Sequence, residues 1–306
     1  MDYSIIGKKI RELRKAIGIT QGELADGICT QALVSRMEKG DIYPSATVLF
    51  RISQKLGVDV NYFFEIGSTE RFDYIKNVER LLNNYRFKLQ YDELIELVRK
   101  EEKNPIFINH KENKQLLEWN KAIYIAEVEN DKDRAISVLL DAYQLTADPK
   151  RAMSEREMRI QLSMGHILSS QDKDKEALEA YNRVRDSIGQ DTFLQDKSIK
   201  TRIYYHTARI LTRLGEYEES LNYCREGLKW TISQERLFGI AQLNYQIGYN
   251  LELQGKPEEA LPYFQKGRNY FQIQKNEKLV EFIDHKIVET ERLVNVGGVV
   301  ETENER

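Results

Sequence analysis

Gln31, Ala32, Ser35, Arg36 and Lys39 share the outer face of a short amphipathic run that ends at Gly40. A glutamine can bond adenine through both amide atoms, an arginine can bond guanine or a phosphate, and hydroxyls suit phosphate oxygens. With Thr30 opening this run and Gln21 in the run before it, the set reads as a surface for double-stranded DNA. Residues 1–66 hold nine Lys or Arg against eight Asp or Glu, a net of only +1. Distribution must therefore do what the sum does not. Lys8, Lys9, Arg11, Arg14 and Lys15 crowd one helix, so one edge can meet phosphates while acids face elsewhere.

A second set recurs downstream at helical spacing: Arg86, Asn120, Tyr124, Arg159, His166, Arg202, Tyr205, His206, Arg209, Gln242, Tyr245, Gln246 and Tyr249. Arginine with tyrosine, histidine and amides can bond an extended backbone, stack on aromatic side chains and pair a carboxylate. A short peptide fits that inventory. On the alternative reading these groups coat a solvated helix surface. Catalysis has little to work with, since His110, His166, His206 and His285 form no metal-spaced pair and adjoin no nucleophile motif. Gly297-Gly298 lacks the helix that a phosphate loop requires. Cys29 and Cys224 make neither a disulfide framework nor a metal cluster. The expectation is a protein that is not an enzyme and needs no cofactor or metal.

These residues need elements to hold them. Thr20 and Glu23 have the spacing of a capping box, so a helix starts at Gln21 and carries Leu24, Ala25 and Ile28 inward. Thr30 can cap a second helix whose buried side is Leu33, Val34 and Met37. A preceding helix carries Ile6, Ile10, Leu13 and Ile17 and closes at Gly18. Pro44-Ser45 begins a fourth with Val48, Leu49, Ile52 and Leu56, and Val60 to Phe64 supplies a fifth. After Gly67-Ser68-Thr69 the pattern changes to long helices with two prolines between 70 and 256. A small or apolar packing residue recurs at 94, 135, 177, 220 and 260, in steps of 41, 42, 43 and 40. Such spacing resembles a divergent array of about five tetratricopeptide-like (TPR) repeats, whose first helices line a concave side. Trp119, Tyr181, Tyr223 and Phe264 fall at core positions. A closing helix from about Glu277 to Leu293 places Leu279, Phe282, Ile283 and Ile287 against the last repeat, and a frayed tail is expected after it.

The fold class predicted is all-α: a five-helix head over 1–66, a linker and first repeat helix over 67–80, a repeat array over 81–293 and a flexible tail over 294–306. At 306 residues with 41% hydrophobic and 31% charged composition, no apolar run approaches the ~20 residues of a membrane span. With no signal-peptide pattern at Met1-Asp2-Tyr3-Ser4, a cytoplasmic location is expected.

Gly7-x-x-Ile10-Arg11-x-Leu13-Arg14, Gly18-Ile19-Thr20-Gln21, Ser35-Arg36-x-Glu38-x-Gly40 and Pro44-Ser45 together resemble the XRE or phage-repressor family of helix-turn-helix domains. The resemblance implies phosphate anchoring at Gln21 and Ser35 and base reading at Gln31 and Ala32. At Arg36 it implies contact with a base, a phosphate or the domain's own Glu38. The same Arg36 and Glu38 can instead form an internal salt bridge. Such a head joined to TPR-like repeats resembles the RNPP family of Gram-positive quorum-sensing regulators. The Glu218-Glu219-Ser220-Leu221 turn and the Gln242 to Gly248 run are most similar to its PlcR branch. The resemblance implies a right-handed superhelix and a homodimer on palindromic DNA half-sites. It further implies a transcription factor, usually an activator, that responds to a re-imported signalling oligopeptide. Gln242 matches a peptide-facing glutamine, whereas Leu162 or Ser163 and His206 stand where relatives often carry asparagine. A peptide-driven change of curvature, passed through residues 69–80, would set the spacing of the paired heads. The competing expectation is a scaffold whose groove holds a folded protein partner.

Overall fold

A computed structural model describes residues 3–66, 70–188 and 194–304. The junction Gly67-Ser68-Thr69, expected to separate the domains, lies outside them. The described residues are helical with no strand, and contacts divide the chain into two compact units, Met1–Gln90 and Tyr91–Arg306.

The first unit contains α1 (Tyr3–Ala16), α2 (Gln21–Ala25), α3 (Gln31–Lys39), α4 (Ala46–Leu56), α5 (Val60–Ile66) and α6 (Glu70–Phe87). Ile6, Ile10, Leu24, Val34, Met37, Leu49, Ile52 and Phe63 form one core. The ends follow the sequence chemistry. Thr20 and Glu23 make both bonds of the capping box, Thr30 accepts from the Leu33 amide, and Ser45 accepts from that of Val48. Ile17 departs from expectation: α1 stops at Ala16, so Ile17 falls outside the helical stripe and is exposed.

In the second unit α7 (Tyr91–Glu101) and a short α8 (Pro105–Ile108) precede four antiparallel pairs. These are α9 (Lys111–Glu127) with α10 (Lys132–Gln144), α11 (Glu155–Ser169) with α12 (Asp174–Ser187), α13 (Ser198–Arg213) with α14 (Tyr217–Ser233), and α15 (Ile240–Leu253) with α16 (Pro257–Ile273). A last helix, α17 (Glu277–Asn304), packs on α16. From α8 onward each helix touches its chain neighbours, and α9, α11, α13 and α15 also pack on one another as a continuous inner layer. Leu94, Ala135, Ala177, Ser220 and Ala260 are each the fourth residue of α7, α10, α12, α14 and α16, and all are fully buried. A single slot thus repeats along the array. Trp119, Tyr181 and Phe264 are core residues, and Tyr223 is half-buried against the last cluster. Two features were not anticipated. Asn104 caps α8 through the Ile106 amide, with Pro105 at its first position. The helix α17 continues through residues expected to fray, because Gly297 and Gly298 each cost about 1 kcal/mol in a helix without breaking it as proline does.

Each of these slot helices is entered through a left-handed residue two positions before its start: Leu89, Asn130, Asp172, Gly215 and Gly255. Asparagine, aspartate and glycine tolerate that region; a leucine meets its own carbonyl there. Leu89 has φ 57° and a side chain 69% exposed, so little packing offsets the strain. Leu89→Asn is therefore expected to raise stability by about 0.5–1 kcal/mol, read as a higher denaturant midpoint. An unchanged or lower midpoint would show that the leucine is held there by a contact of its own.

Candidate functional site

Two surfaces carry the chemistry singled out above. On the first, the capped start of α3 turns Thr30, Gln31, Ala32, Arg36 and Lys39 to solvent, with Ser35 half-buried at their edge. Their spacing follows from the buried side, where Val34, Met37 and Glu38 face the core. Arg14, expected at the DNA surface, is not on it. Its side chain is buried, with Nε 2.5 Å and Nη2 3.0 Å from the Glu38 carboxylate and Nη1 donating to the Ile19 carbonyl at 2.7 Å. Gln21 Nε2 also donates to Glu38, at 2.9 Å. Burial resists ionisation of Glu38, but the bonds from Arg14 and Gln21 outweigh it and hold the carboxyl below its usual range. The internal ion pair that braces α3 thus joins Glu38 to Arg14, and Arg36 remains at the surface. The reason is positional: on α3, Glu38 faces inward and Arg36 outward.

The second surface is the inner layer of the array. Arg159 and His166 on α11, Arg202, Tyr205, His206 and Arg209 on α13, and Gln242, Tyr245 and Tyr249 on α15 all keep some exposure. The central part is enclosed as well as open. His166 and Arg202 are exposed to water, yet desolvation by the surrounding chain pushes the pKa of both down, and it pushes His206 well down. These side chains lie along the inner layer, where α11 and α13 pack on each other. Aromatic faces line it: His206 stacks on Tyr181 at 5.4 Å and stands 5.7 Å from His166 and 5.3 Å from Tyr205. Tyr245 stacks on Tyr249 at 6.1 Å, and burial raises its phenol to about 12. Arg159 pairs with Asp196 at 2.8 Å.

Two residues expected in the groove lie inside the packing. Asn120 is fully buried and donates to the Leu116 carbonyl, because α7, α8, α10 and α11 all pack on α9 and bury Leu116, Leu117, Trp119 and Ala122 around it. Gln246 is 4% exposed and donates to Thr212 Oγ1 at 2.7 Å. Its displacement has a local cause. The fourth slot holds a hydroxyl, Ser220, which Asn250 satisfies at 2.8 Å; Thr212 donates to Asn250 at 2.8 Å, and Gln246 completes the network. Tyr124 is half-buried on α9, and Arg86 on α6 is bonded to Asn83 within its own helix.

Other residues escaped the sequence reading. Phe282, assigned to the interior of α17, is 51% exposed with its ring 5.6 Å from Tyr245. The ring of Phe238 lies under the Arg202 guanidinium at 4.6 Å. A period-of-four pattern puts Phe282 beside Leu279 and Ile283, and only the rotation of α17 separates them. Burial pushes the half-buried Cys29 thiol up and the Cys224 thiol to about 12. Among the described residues no cluster of three His, Cys, Asp or Glu could hold a metal, and no helix is long and apolar enough to cross a membrane.

A family model described as helix-turn-helix matches residues 10–63, and one described as the RNPP family C-terminal domain matches residues 80–287. Among solved structures the chain is similar to Bacillus thuringiensis PlcR in complex with the peptide PapR7 and DNA. Identity is 22% over 92% of this chain and 99% of that one, with a TM-score of 0.75. It is similar to ComR of S. thermophilus in complex with DNA and its signalling peptide ComS, at 15% identity over 94% and 99% of the two chains and a TM-score of 0.60. The Streptococcus dysgalactiae SHP pheromone receptor Rgg2 matches at 14% identity over 93% and 99%, with a TM-score of 0.63. No curated protein matches the chain.

Proposed function

Because the chain belongs to the RNPP family, we propose that it is a peptide-responsive transcription regulator, reading operator DNA with α3 and holding a signalling oligopeptide on the inner layer of its repeats. The observation that carries the peptide assignment is the polar strip of Arg159, His166, Arg202, His206 and Arg209, left partly exposed along the floor that α11 and α13 form together. A linear chain can reach such a floor; the convex surface of a folded partner reaches it poorly. The solved relatives bound to DNA and to peptides lend support, as does the exposed face of α3.

In this reading Gln31 and Ala32 contact bases, Thr30, Gln21 and Ser35 contact phosphates, and Arg36 and Lys39 contact either. One head makes few contacts, so the working form is a homodimer on two half-sites, in the cytoplasm, acting as an activator. The peptide shifts operator affinity only by its differential affinity for two shapes of the protein, typically ~1–3 kcal/mol of coupling. The experiment is selection of operator sequences by the purified protein, followed by titration with and without synthetic signalling peptides. Equal operator affinity at saturation with every peptide would remove the switch. Gln31→Ala is expected to weaken the selected operator by about 1–3 kcal/mol, roughly 5- to 150-fold, and to relax preference at one base pair. Retained preference at every position would take Gln31 out of the base-reading set.

A further inference from the structure

The groove floor is unbalanced in charge. Arg202 and Arg209 on α13 make no ion pair among the described residues; each guanidinium lies instead against an aromatic ring, Phe238 at 4.6 Å and Tyr205 at 5.7 Å. Asp196 pairs with Arg159 at 2.8 Å and also acts on Arg202 from beyond ion-pair distance. His166 and His206 face each other across α11 and α13 at 5.7 Å, with the Tyr181 ring stacked on His206 from α12. The charged groups that bear on this pair from the surrounding helices are Glu127 of α9, Lys132 of α10, and Arg202 and Arg209 of α13. With the Arg159–Asp196 pair included, the four cations Lys132, Arg159, Arg202 and Arg209 outnumber the two carboxylates Glu127 and Asp196, which is the arrangement that a ligand anion completes.

We propose that the ligand of this groove presents a carboxylate, seated between α11 and α13 against Arg202, Arg209 and the His166–His206 pair, and that its capture draws a proton onto the histidines. The proposal rests on the groove being the peptide site. The carboxylate is either the peptide's C-terminus or an acidic side chain; the chemistry of the seat is the same. The sign of the proton coupling follows from the empty groove, where desolvation and the neighbouring arginines keep both imidazoles neutral below their ordinary range. An anion set beside them favours the charged form. The bound state then holds more protons than the free one, so affinity rises as pH falls.

The test offers the full-length protein short peptides randomised without Asp or Glu, in four pools: fixed glutamate or glutamine at one position, each with a free or an amidated C-terminus. Retained peptides are read by mass spectrometry. The expected result is retention from pools that carry a carboxylate, falling about 10- to 100-fold for the glutamine, amidated pool and for an Arg202→Gln, Arg209→Gln variant. Which single-carboxylate pool survives identifies the source. Equal retention from all four pools overturns the carboxylate and leaves the peptide receptor standing. No retention from any pool overturns both. If the arginine variant loses its helical circular dichroism, His166→Gln, His206→Gln takes its place. For retained acidic peptides, wild-type affinity is expected to rise by up to about tenfold for each unit that pH falls, per histidine protonated. A flat profile between about pH 6 and pH 8, across the ordinary histidine range, overturns the proton uptake.

Discussion

Glu38→Ala is expected to cost the N-terminal unit about 3–5 kcal/mol, because it leaves the Arg14 guanidinium buried without its carboxylate. Small domains have little more stability than that to lose, so operator binding should vanish with the fold of the head while the repeats persist. The measurement is denaturant unfolding followed by hydrogen exchange in α1 and α3. A paired replacement, Arg14→Met with Glu38→Met, removes both charges together and is expected to recover most of the loss. If the double variant is no more stable than Glu38→Ala, the penalty comes from something other than the stranded cation. The ion pair also sets an acid limit. The folded carboxyl lies below its unfolded value, so its contribution is fully present above the unfolded pKa and is lost as pH falls through the folded one. Glu38→Gln should flatten that part of the acid-unfolding curve.

Gly7→Ala is the second change with a large expected effect. A Cβ at Gly7 would stand 1.9 Å from the Met37 carbonyl oxygen, on the backbone of α3, where no side chain can swing aside. The helices α1 and α3 would have to separate, which puts the cost at about 3 kcal/mol or more. The control is Gly22→Ala, whose Cβ would meet nothing nearer than Thr20 Oγ1 at 3.8 Å, an ordinary contact. Inside α2 that exchange is expected to be neutral or stabilising by up to about 1 kcal/mol. The comparison is the thermal midpoint of the head in the two variants. Equal midpoints would mean that the α1–α3 crossing yields more easily than its geometry suggests.

The elements were legible where a local rule decides them. Thr20 with Glu23 and Thr30 with Leu33 state their caps in the residues alone. The slot of Leu94, Ala135, Ala177, Ser220 and Ala260 could be read because a helix-on-helix approach demands a small or apolar residue at one fixed place. What the sequence concealed was rotation and distant partnership. Arg14 looked like one more base in a basic helix, and its commitment to Glu38 depends on a contact across 24 positions. Gln246 carried the right chemistry for the groove, but Thr212, Ser220 and Asn250 claim it from three other turns of helix. Phe282 erred in the opposite direction, since a turn of α17 exposes what its neighbours suggested was core. Of the groove, the line Arg159, His166, Arg202, His206 and Arg209 was visible in outline. How much of each side chain stays exposed was not, because that depends on how the neighbouring helices pack around α11 and α13.

The inner layer gives the array a mechanical character. Helices α9, α11, α13 and α15 touch chiefly their immediate neighbours, each junction repeating the same slot and left-handed turn. Such a stack is a spring in series, whose compliance is the sum of its joints. A molecule lying across α11, α13 and α15 would clamp two of those joints and leave the one at α9 soft, so the elastic response to a ligand would be graded by how many turns of the coil it spans.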